Sequence, residues 1–308
     1  MPLVNCHTHL ELSWAGYLCP PAGGMPFSEW IYKLVMTNRD RRETADFEAQ
    51  TIRAVEAGIE QLLAVGTTHV GDITNSGLSI EPLLDSGLAG VVYIEVLGLV
   101  EEVADFMWRR ARQMLDTYRR YERNGLRIGL SAHAIYSTLP QTFETVANFC
   151  LKEDVPLCIH LSESPFERPF AEQGVGPLYE MPRRFGSEIP PYVPHKSPVK
   201  YLEDLGVLEA KPLLVHMVDV TDEELDIVAR SGAKVAHCPR SNQLLQCGRM
   251  PLEKMLTRGI PVALGTDSLG SSPSLDVREE AETAVSLHAD YVPAHIIRKM
   301  LENTAVLS

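Results

Sequence analysis

A parallel (β/α)8 barrel is the fold class that this 308-residue sequence predicts, and three observations predict it. Short apolar, β-branched runs alternate with segments of helical periodicity from one end of the chain to the other. The runs number eight, the count that closes a parallel sheet on itself. Residue types that bind metals collect at the carboxyl ends of those runs, where such a barrel builds its active site. A doubly wound open sheet competes with this reading, but no glycine-rich phosphate fingerprint follows an early strand.

Taken in order, the strand candidates are 3–8 "LVNCHT", 67–73 "TTHVGDI", 91–97 "VVYIEVL" and 127–133 "RIGLSAH", then 156–161 "PLCIHL", 212–217 "PLLVHM", 233–238 "AKVAHC" and 260–266 "IPVALGT". Helical periodicity occupies 44–65, 101–122, 140–152, 221–231 and 275–287 between them. Thr221 and Glu224 make a capping box that opens one of these helices, and Gly232 closes it. Pro140 and Pro251 stand where a helix start accepts a missing N–H. The stretch 164–197, "SPFERPFAEQGVGPLYEMPRRFGSEIPPYVPHKS", is rich in proline, glycine and aromatics and shows no clear period. Because it leaves directly from a strand end, it is expected to form a lid or specificity loop within one domain spanning 1–308.

Hydrophobic residues make up 45% of the chain and charged residues 22%, the composition of a globular protein with ample core. A net charge of −13 opposes binding to nucleic acid or to anionic membrane surfaces. The six cysteines form no CxxC pair and read as free thiols of a reducing compartment. The first residues, "MPLVNCHTH", carry neither a basic start nor a long apolar stretch, so the cytoplasm is the expected location.

Six of the ten histidines fall at strand ends: His7 and His9 on the first, His133 on the fourth, His160 on the fifth, His216 on the sixth and His237 on the seventh. Asp267 ends the eighth, in "LGTDS". Three imidazoles (His7, His9, His160) and the Asp267 carboxylate form a nitrogen and oxygen set suited to a single divalent metal. Zn²⁺ is expected, with Fe²⁺ and Mn²⁺ as alternatives. No lysine ends the fourth strand to bridge a second ion. Glu163, three residues past His160, is placed to move a proton beside the metal without binding it, and His216 to hold the attacking oxygen. Asp267 is also expected to orient that oxygen or take its proton. The HxE…PCxxC pattern of cysteine-rich zinc deaminases is absent.

HxH after the first strand, "HLSE" at the fifth, a histidine at the sixth, "CPRSN" after the seventh and "LGTDS" at the eighth resemble the amidohydrolase superfamily. Within it the chain is similar to the mononuclear-metal deaminase branch, and the wording of "HTHLELS", "HLSESP" and "LGTDSLGSSPSLD" leans towards aminodeoxyfutalosine deaminase-like members. The resemblance covers nearly the whole chain. It implies the TIM-barrel fold and hydrolytic release of ammonia from the amidine carbon of an aminopurine nucleoside or related heterocycle, a small-molecule substrate. It implies the same metal ligands, Glu163 as proton shuttle and His216 as the residue that polarises water. Substrate contacts are expected from Glu11, Trp30, His133, His237 and Asn242. Displacement of an amide or chloride from a ring is the alternative chemistry, and a catalytically silent binding barrel the alternative class. Two departures stand out. Asp219 occupies a position where relatives often carry a second histidine, and the residues that build a flanking β-sandwich in relatives are expected to be mostly or wholly missing, leaving a face for a homodimer to cover. Arg168, Arg183 and Arg184 are candidates for meeting a substrate carboxylate.

Overall fold

The computed structural model describes residues 1–308. All eight expected strands form: β1 (Val4–Thr8), β2 (His69–Thr74), β3 (Ala89–Val96), β4 (Leu126–Ala134), β5 (Leu157–Leu161), β6 (Leu213–His216), β7 (Lys234–His237) and β8 (Val262–Leu264). They make one sheet in sequence order with every neighbouring pair parallel. A parallel bridge between Thr8 and Asp267, and the Asp267 N–H donating to His7 O at 3.0 Å, bring the end of the sheet back to its beginning. The architecture is a (β/α)8 barrel, and no second sheet accompanies it in this chain.

Helices fill the crossovers, as parallel strands require. After β1 come α1 (Phe27–Arg42) and α2 (Phe47–Ala64), after β2 α3 (Ile80–Ser86), after β3 α4 (Glu101–Tyr118), and after β4 α5 (Pro140–Glu153). The β5 crossover holds α6 (Glu167–Gln173), α7 (Pro177–Arg184) and α8 (Pro198–Asp204), and that of β6 holds α9 (Asp222–Ser231). Beyond β7 lie α10 (Pro239–Leu244) and α11 (Leu252–Thr257), and beyond β8 α12 (Val277–Leu287) and α13 (Ala294–Lys299). The capping box forms as expected: Thr221 Oγ1 accepts from Glu224 N at 3.3 Å and Glu224 Oε2 from Thr221 N at 2.8 Å. Gly232 ends α9 at φ 76°, a left-handed conformation that glycine adopts without a Cβ clash.

Alternation along each strand sorts the side chains into two layers. Cys6, Tyr93, Cys158, Val215, Ala236 and Ala263 belong to the barrel interior, whose lower part Val306 and Leu307 also fill. Val92, Leu130, Ile159, Leu214, Val235 and Leu264 face the helices. Each fully buried aliphatic side chain in this outer layer contributes ~1.5–3 kcal/mol. No helix is long and apolar enough to cross a membrane.

The segment 164–197 differs from its expected irregular course. It folds α6 and α7 and clamps the second onto α1, with Arg184 paired to Glu29 at 3.0 Å and Phe185 stacked on Tyr32 at 5.6 Å. Helices of seven and eight residues, punctuated by Pro169, Gly174 and Pro182, span too few turns to show a period.

Candidate metal centre

The histidine pair on β1 reaches the barrel mouth through a β-bulge. Asn5 opposes Val70 and Thr8 opposes Asp72, so three steps of β1 match two of β2. Val4 and Cys6 face the interior, and strict alternation would then send His7 outwards. The extra residue resets the alternation: His7 and His9 both turn to the mouth, while Thr8 turns away and bonds Asp72 Oδ1 at 2.9 Å. Glycine is required opposite, because a Cβ on Gly265 would stand 2.7 Å from His7 Cβ.

His160 enters from the interior face of β5, beside Cys158. His9 Nε2 and His160 Nε2 lie 3.3 Å apart, and His7 Nε2 and His9 Nε2 each lie 3.6 Å from Asp267 Oδ1. His7 Nε2 is buried without a hydrogen-bond partner. Burial, followed by the neighbouring imidazoles, holds His9 at about 3 and His160 well below the usual histidine range, so both are neutral. Burial alone would raise the Asp267 carboxyl, but the histidines around it outweigh that and hold it well below the usual carboxylate range. Neutral imidazole lone pairs converging with an ionised carboxylate are the donor set of a divalent metal, and the residues fit one. Two overlapping triplets, His7–His160–His216 and His7–His9–Asp267, each have ligand atoms within 4.8 Å of one another.

Glu163 and His216 face each other at the edge of this cluster, with His216 Nε2 3.4 Å from Glu163 Oε1. Both come from left-handed backbone. His216 should follow Leu214 into the outer layer, but φ of 77° at His216 and 48° at Met217 bring its ring to 5.6 Å from that of His160. Ser162, at φ 51°, turns the chain just before Glu163. Non-glycine residues in this region cost about 1–3 kcal/mol each and collect at functional sites. Burial drives Glu163 well above the usual carboxylate range, with Asp267 and Glu167 adding to it, and drives His216 down to about 4.

The amidohydrolase family model matches residues 3–306. The chain belongs to the amidohydrolase family. An aminodeoxyfutalosine deaminase of Deinococcus radiodurans is 36% identical to this amidohydrolase over 305 residues, covering 96% of the chain and 70% of its own length. A 5-methylthioadenosine/S-adenosylhomocysteine deaminase of Nitratidesulfovibrio vulgaris is 29% identical over 290 residues, covering 93% of the chain and 60% of its own length. Helicobacter pylori aminofutalosine deaminase, solved in complex with methylthio-coformycin, has a TM-score of 0.81 at 24% identity, over 97% of this chain and 70% of that one. At that identity the likeness speaks for the fold. The family binds a divalent metal, in keeping with the histidine and aspartate cluster.

Around the cluster the amidohydrolase places a ring of supporting groups that residue type alone did not reveal. Asp72 accepts from Thr8 Oγ1, Leu10 N (2.8 Å) and Ser79 Oγ (2.6 Å), gripping the chain on both sides of His9. Ser241 and Ser271 donate to Asp267 Oδ2 at 2.7 and 2.9 Å. Glu167 accepts from Ser162 N and Glu163 N, both at 2.9 Å, and so holds the turn that presents Glu163. The one signal for Glu167 in the sequence was a second carboxylate four residues past Glu163.

Of the expected substrate contacts, His133 stands beside the cluster, its ring 5.1 Å from that of His160. His237 does not join it. Ala236 and Cys238 on either side face the interior, so alternation sends His237 into the outer layer, where its Nε2 meets His288 Nε2 at 3.2 Å. Glu11 accepts hydrogen bonds from Thr74, Asn75, Ser76 and Leu78, which fixes the loop after β2 and occupies its carboxylate. Asn242 Oδ1 lies 3.0 Å from His216 Nδ1 and orients that ring. The Trp30 indole donates to Gly270 O at 2.7 Å, tying α1 to the loop after β8. Arg168 pairs with Glu224 at 2.6 Å, with Asp219 at 3.4 Å and with Glu172 at 3.1 Å; Arg184 pairs with Glu29, and Arg183 is an exposed partner of Glu180. Asp219, in the place of a second histidine, therefore serves Arg168.

Proposed function

We propose that this chain is a hydrolytic deaminase of an aminopurine nucleoside or related heterocycle, with one divalent metal held by His7, His9, His160 and Asp267. The reading rests on one juxtaposition: Glu163 and His216 face each other at 3.4 Å beside that cluster, in a chain 36% identical to an aminodeoxyfutalosine deaminase. Zn²⁺ suits the donor set best. A divalent ion there supplies Lewis acidity and lowers the pKa of water to ~7.

The chain's own residues then divide the work. His216, its Nδ1 oriented by Asn242, offers Nε2 to the attacking oxygen. Glu163 carries a proton to the ring nitrogen of the substrate; burial pushes its carboxyl up, which favours the proton-bearing form. Asp267, kept ionised and held by Ser241 and Ser271, orients the same oxygen. Glu163 takes its proton from the attacking water. Attack at the amidine carbon and protonation of the ring nitrogen give a tetrahedral centre. Passage of its hydroxyl proton to the amino group lets the carbon–nitrogen bond break, so that ammonia leaves and a carbonyl remains. We take residues 1–308 as one domain, with the 164–197 segment that carries α6 and α7 as its lid or specificity loop.

Ammonia release across adenosine, methylthioadenosine, S-adenosylhomocysteine, aminodeoxyfutalosine, guanine and cytosine, with metal content measured on the same protein, tests the reading. Turnover of one nucleoside by protein holding one metal per chain is expected. Ring hydrolysis without ammonia would replace deamination by displacement of another group. Metal-loaded protein inert on the whole panel would refute the assignment.

A further inference from the structure

Next to the metal cluster, the Glu95 carboxylate and the His133 imidazole face each other at 3.8 Å. Glu95 lies on the interior face of β3, two residues beyond Tyr93, and ends at the mouth. Its Oε2 accepts from Asn75 Nδ2 at 2.6 Å. Asn75 is itself fixed by three other bonds: its N–H donates to Glu11 at 3.2 Å, its Oδ1 accepts from Arg42 at 2.6 Å and its carbonyl from Arg110 at 2.8 Å. The other carboxylate oxygen, Oε1, has no hydrogen bond and no lysine or arginine partner. It stands 3.8 Å from His133 Nε2, too far to bond.

The tautomer of His133 follows from its other nitrogen. Ser137 Oγ stands 3.1 Å from Ala134 O and 2.5 Å from His133 Nδ1; with the hydroxyl proton directed to the carbonyl, its lone pair faces a proton on Nδ1. Nε2 is then an acceptor. A carboxylate oxygen and an imidazole lone pair converge, on side chains that keep 9% and 20% of their surface open. Neither can satisfy the other, and a neighbouring pair of O–H donors satisfies both.

We propose that Glu95 is a specificity-determining residue whose Oε1, with His133 Nε2, binds the vicinal hydroxyls of a sugar attached to the reacting heterocycle. The proposal rests on the deaminase reading above and narrows it: the substrate is a ribonucleoside, not a free base. Position agrees with chemistry. The His133 ring stands 5.1 Å from that of His160, so a heterocycle seated over the cluster directs its substituent past His133 towards Glu95. An unpaired carboxylate there also repels an anionic group at the same spot. Arg168 and Arg184, committed to their own carboxylates, do not offset it.

The test compares adenosine with 2′,3′-dideoxyadenosine on the wild-type protein, Glu95→Ala and the near-isosteric Glu95→Gln, which stands in if the alanine variant fails to fold. Wild type should prefer the diol by on the order of 100-fold in kcat/KM, as expected for a charged acceptor left unpaired by the analogue. In Glu95→Ala the diol substrate should lose far more than the analogue, closing most of that gap, with Glu95→Gln intermediate. No preference in wild type, or equal losses on both substrates, would overturn the subsite. Calorimetric binding of the same two nucleosides separates this proposal from the one it rests on. Diol-dependent affinity without ammonia release upholds the subsite and sinks the deaminase reading. Equal affinities overturn the subsite even where ammonia is released, and no binding of either nucleoside overturns both.

Discussion

Replacing Glu167 by glutamine tests whether the turn carrying Glu163 is held in place by a single buried carboxylate. Glu167 is 1% exposed, and its two oxygens accept from Ser162 N and Glu163 N at 2.9 Å. Glutamine has almost the same shape but only one acceptor oxygen, so its amide N–H2 must face the second backbone N–H. One buried donor is left unsatisfied, at a cost of ~1–3 kcal/mol. The turn can relieve that cost only by moving. Ser162 is already left-handed at φ 51°, and its carbonyl accepts from Val218 N at 2.8 Å and Asp219 N at 3.0 Å, so the movement passes to Glu163. A shift of ~1 Å in a reacting group costs on the order of 100-fold in rate. Burial lifts the Glu167 carboxyl to about 7, so assays belong near pH ~8, where both forms of the comparison are well defined. Glu167→Gln should lower kcat by ~10–100-fold while KM and metal content stay near wild type. Its melting temperature should fall by a few degrees. Steady-state ammonia release, metal analysis and thermal melts read the three quantities. Wild-type kcat in a folded, metal-replete variant would refute the clamp, and parallel loss of metal would show that the residue supports the cluster as a whole.

Three further outcomes are expected. Glu163→Gln should keep the metal and lose turnover by ~10²–10⁴-fold, the usual worth of a positioned acid–base group; substantial residual activity would mean that another residue carries the proton. Asp72→Asn should flatten the pH dependence of stability. Burial lifts this carboxyl from 3.8 to about 7, so between those values the folded chain binds more protons than the unfolded one and stability falls as pH rises. The amide keeps an acceptor for Thr8 and Leu10 and donates to Ser79. The variant should therefore gain on the parent from about pH 4 to about pH 7, by up to ~1.4 kcal/mol per pH unit, in denaturant titrations; parallel curves would refute the assignment. Chelation should abolish ammonia release and lower the melting temperature, with zinc restoring both, since a ligand at 100 times its Kd stabilises the native state by ~2.7 kcal/mol. An unchanged melt after verified metal removal would count against the centre.

The strands were legible because each one carries its own local signal, a short apolar, β-branched run set off from helical periodicity, and most add a polar residue at the carboxyl end. The metal-type residues were legible for the same reason, since six histidines at strand ends are a pattern that residue identity alone displays. What identity could not display was the direction of each side chain. His216 and His237 end neighbouring strands and read alike, yet Met217 and His216 in left-handed backbone turn one ring to the mouth, while plain alternation buries the other against His288. Glu11 and Asn242 sat in the right motifs and proved to hold other groups. Glu95 and Glu167 passed unremarked because a glutamate in a strand or at a helix start is commonplace, and only the partners they meet across the fold set them apart.

The same asymmetry explains how the centre is built. A barrel strand can offer only every second side chain to the mouth, and the eight strands here are short, so few positions are available by regular geometry. The chain obtains more by breaking regularity where chemistry is needed: a bulge on β1 for His7 and His9, and left-handed residues after β5, β6 and β8 for Glu163, His216 and Asp267. Each break is held by a buried polar group, namely Asp72 around His9, Glu167 beneath Glu163, Asn242 on His216, and Ser241 with Ser271 on Asp267. Strain of this kind persists only where surrounding contacts over-determine it. Removing a holder should therefore damage turnover more than folding, and removing a strand's apolar residues should do the reverse.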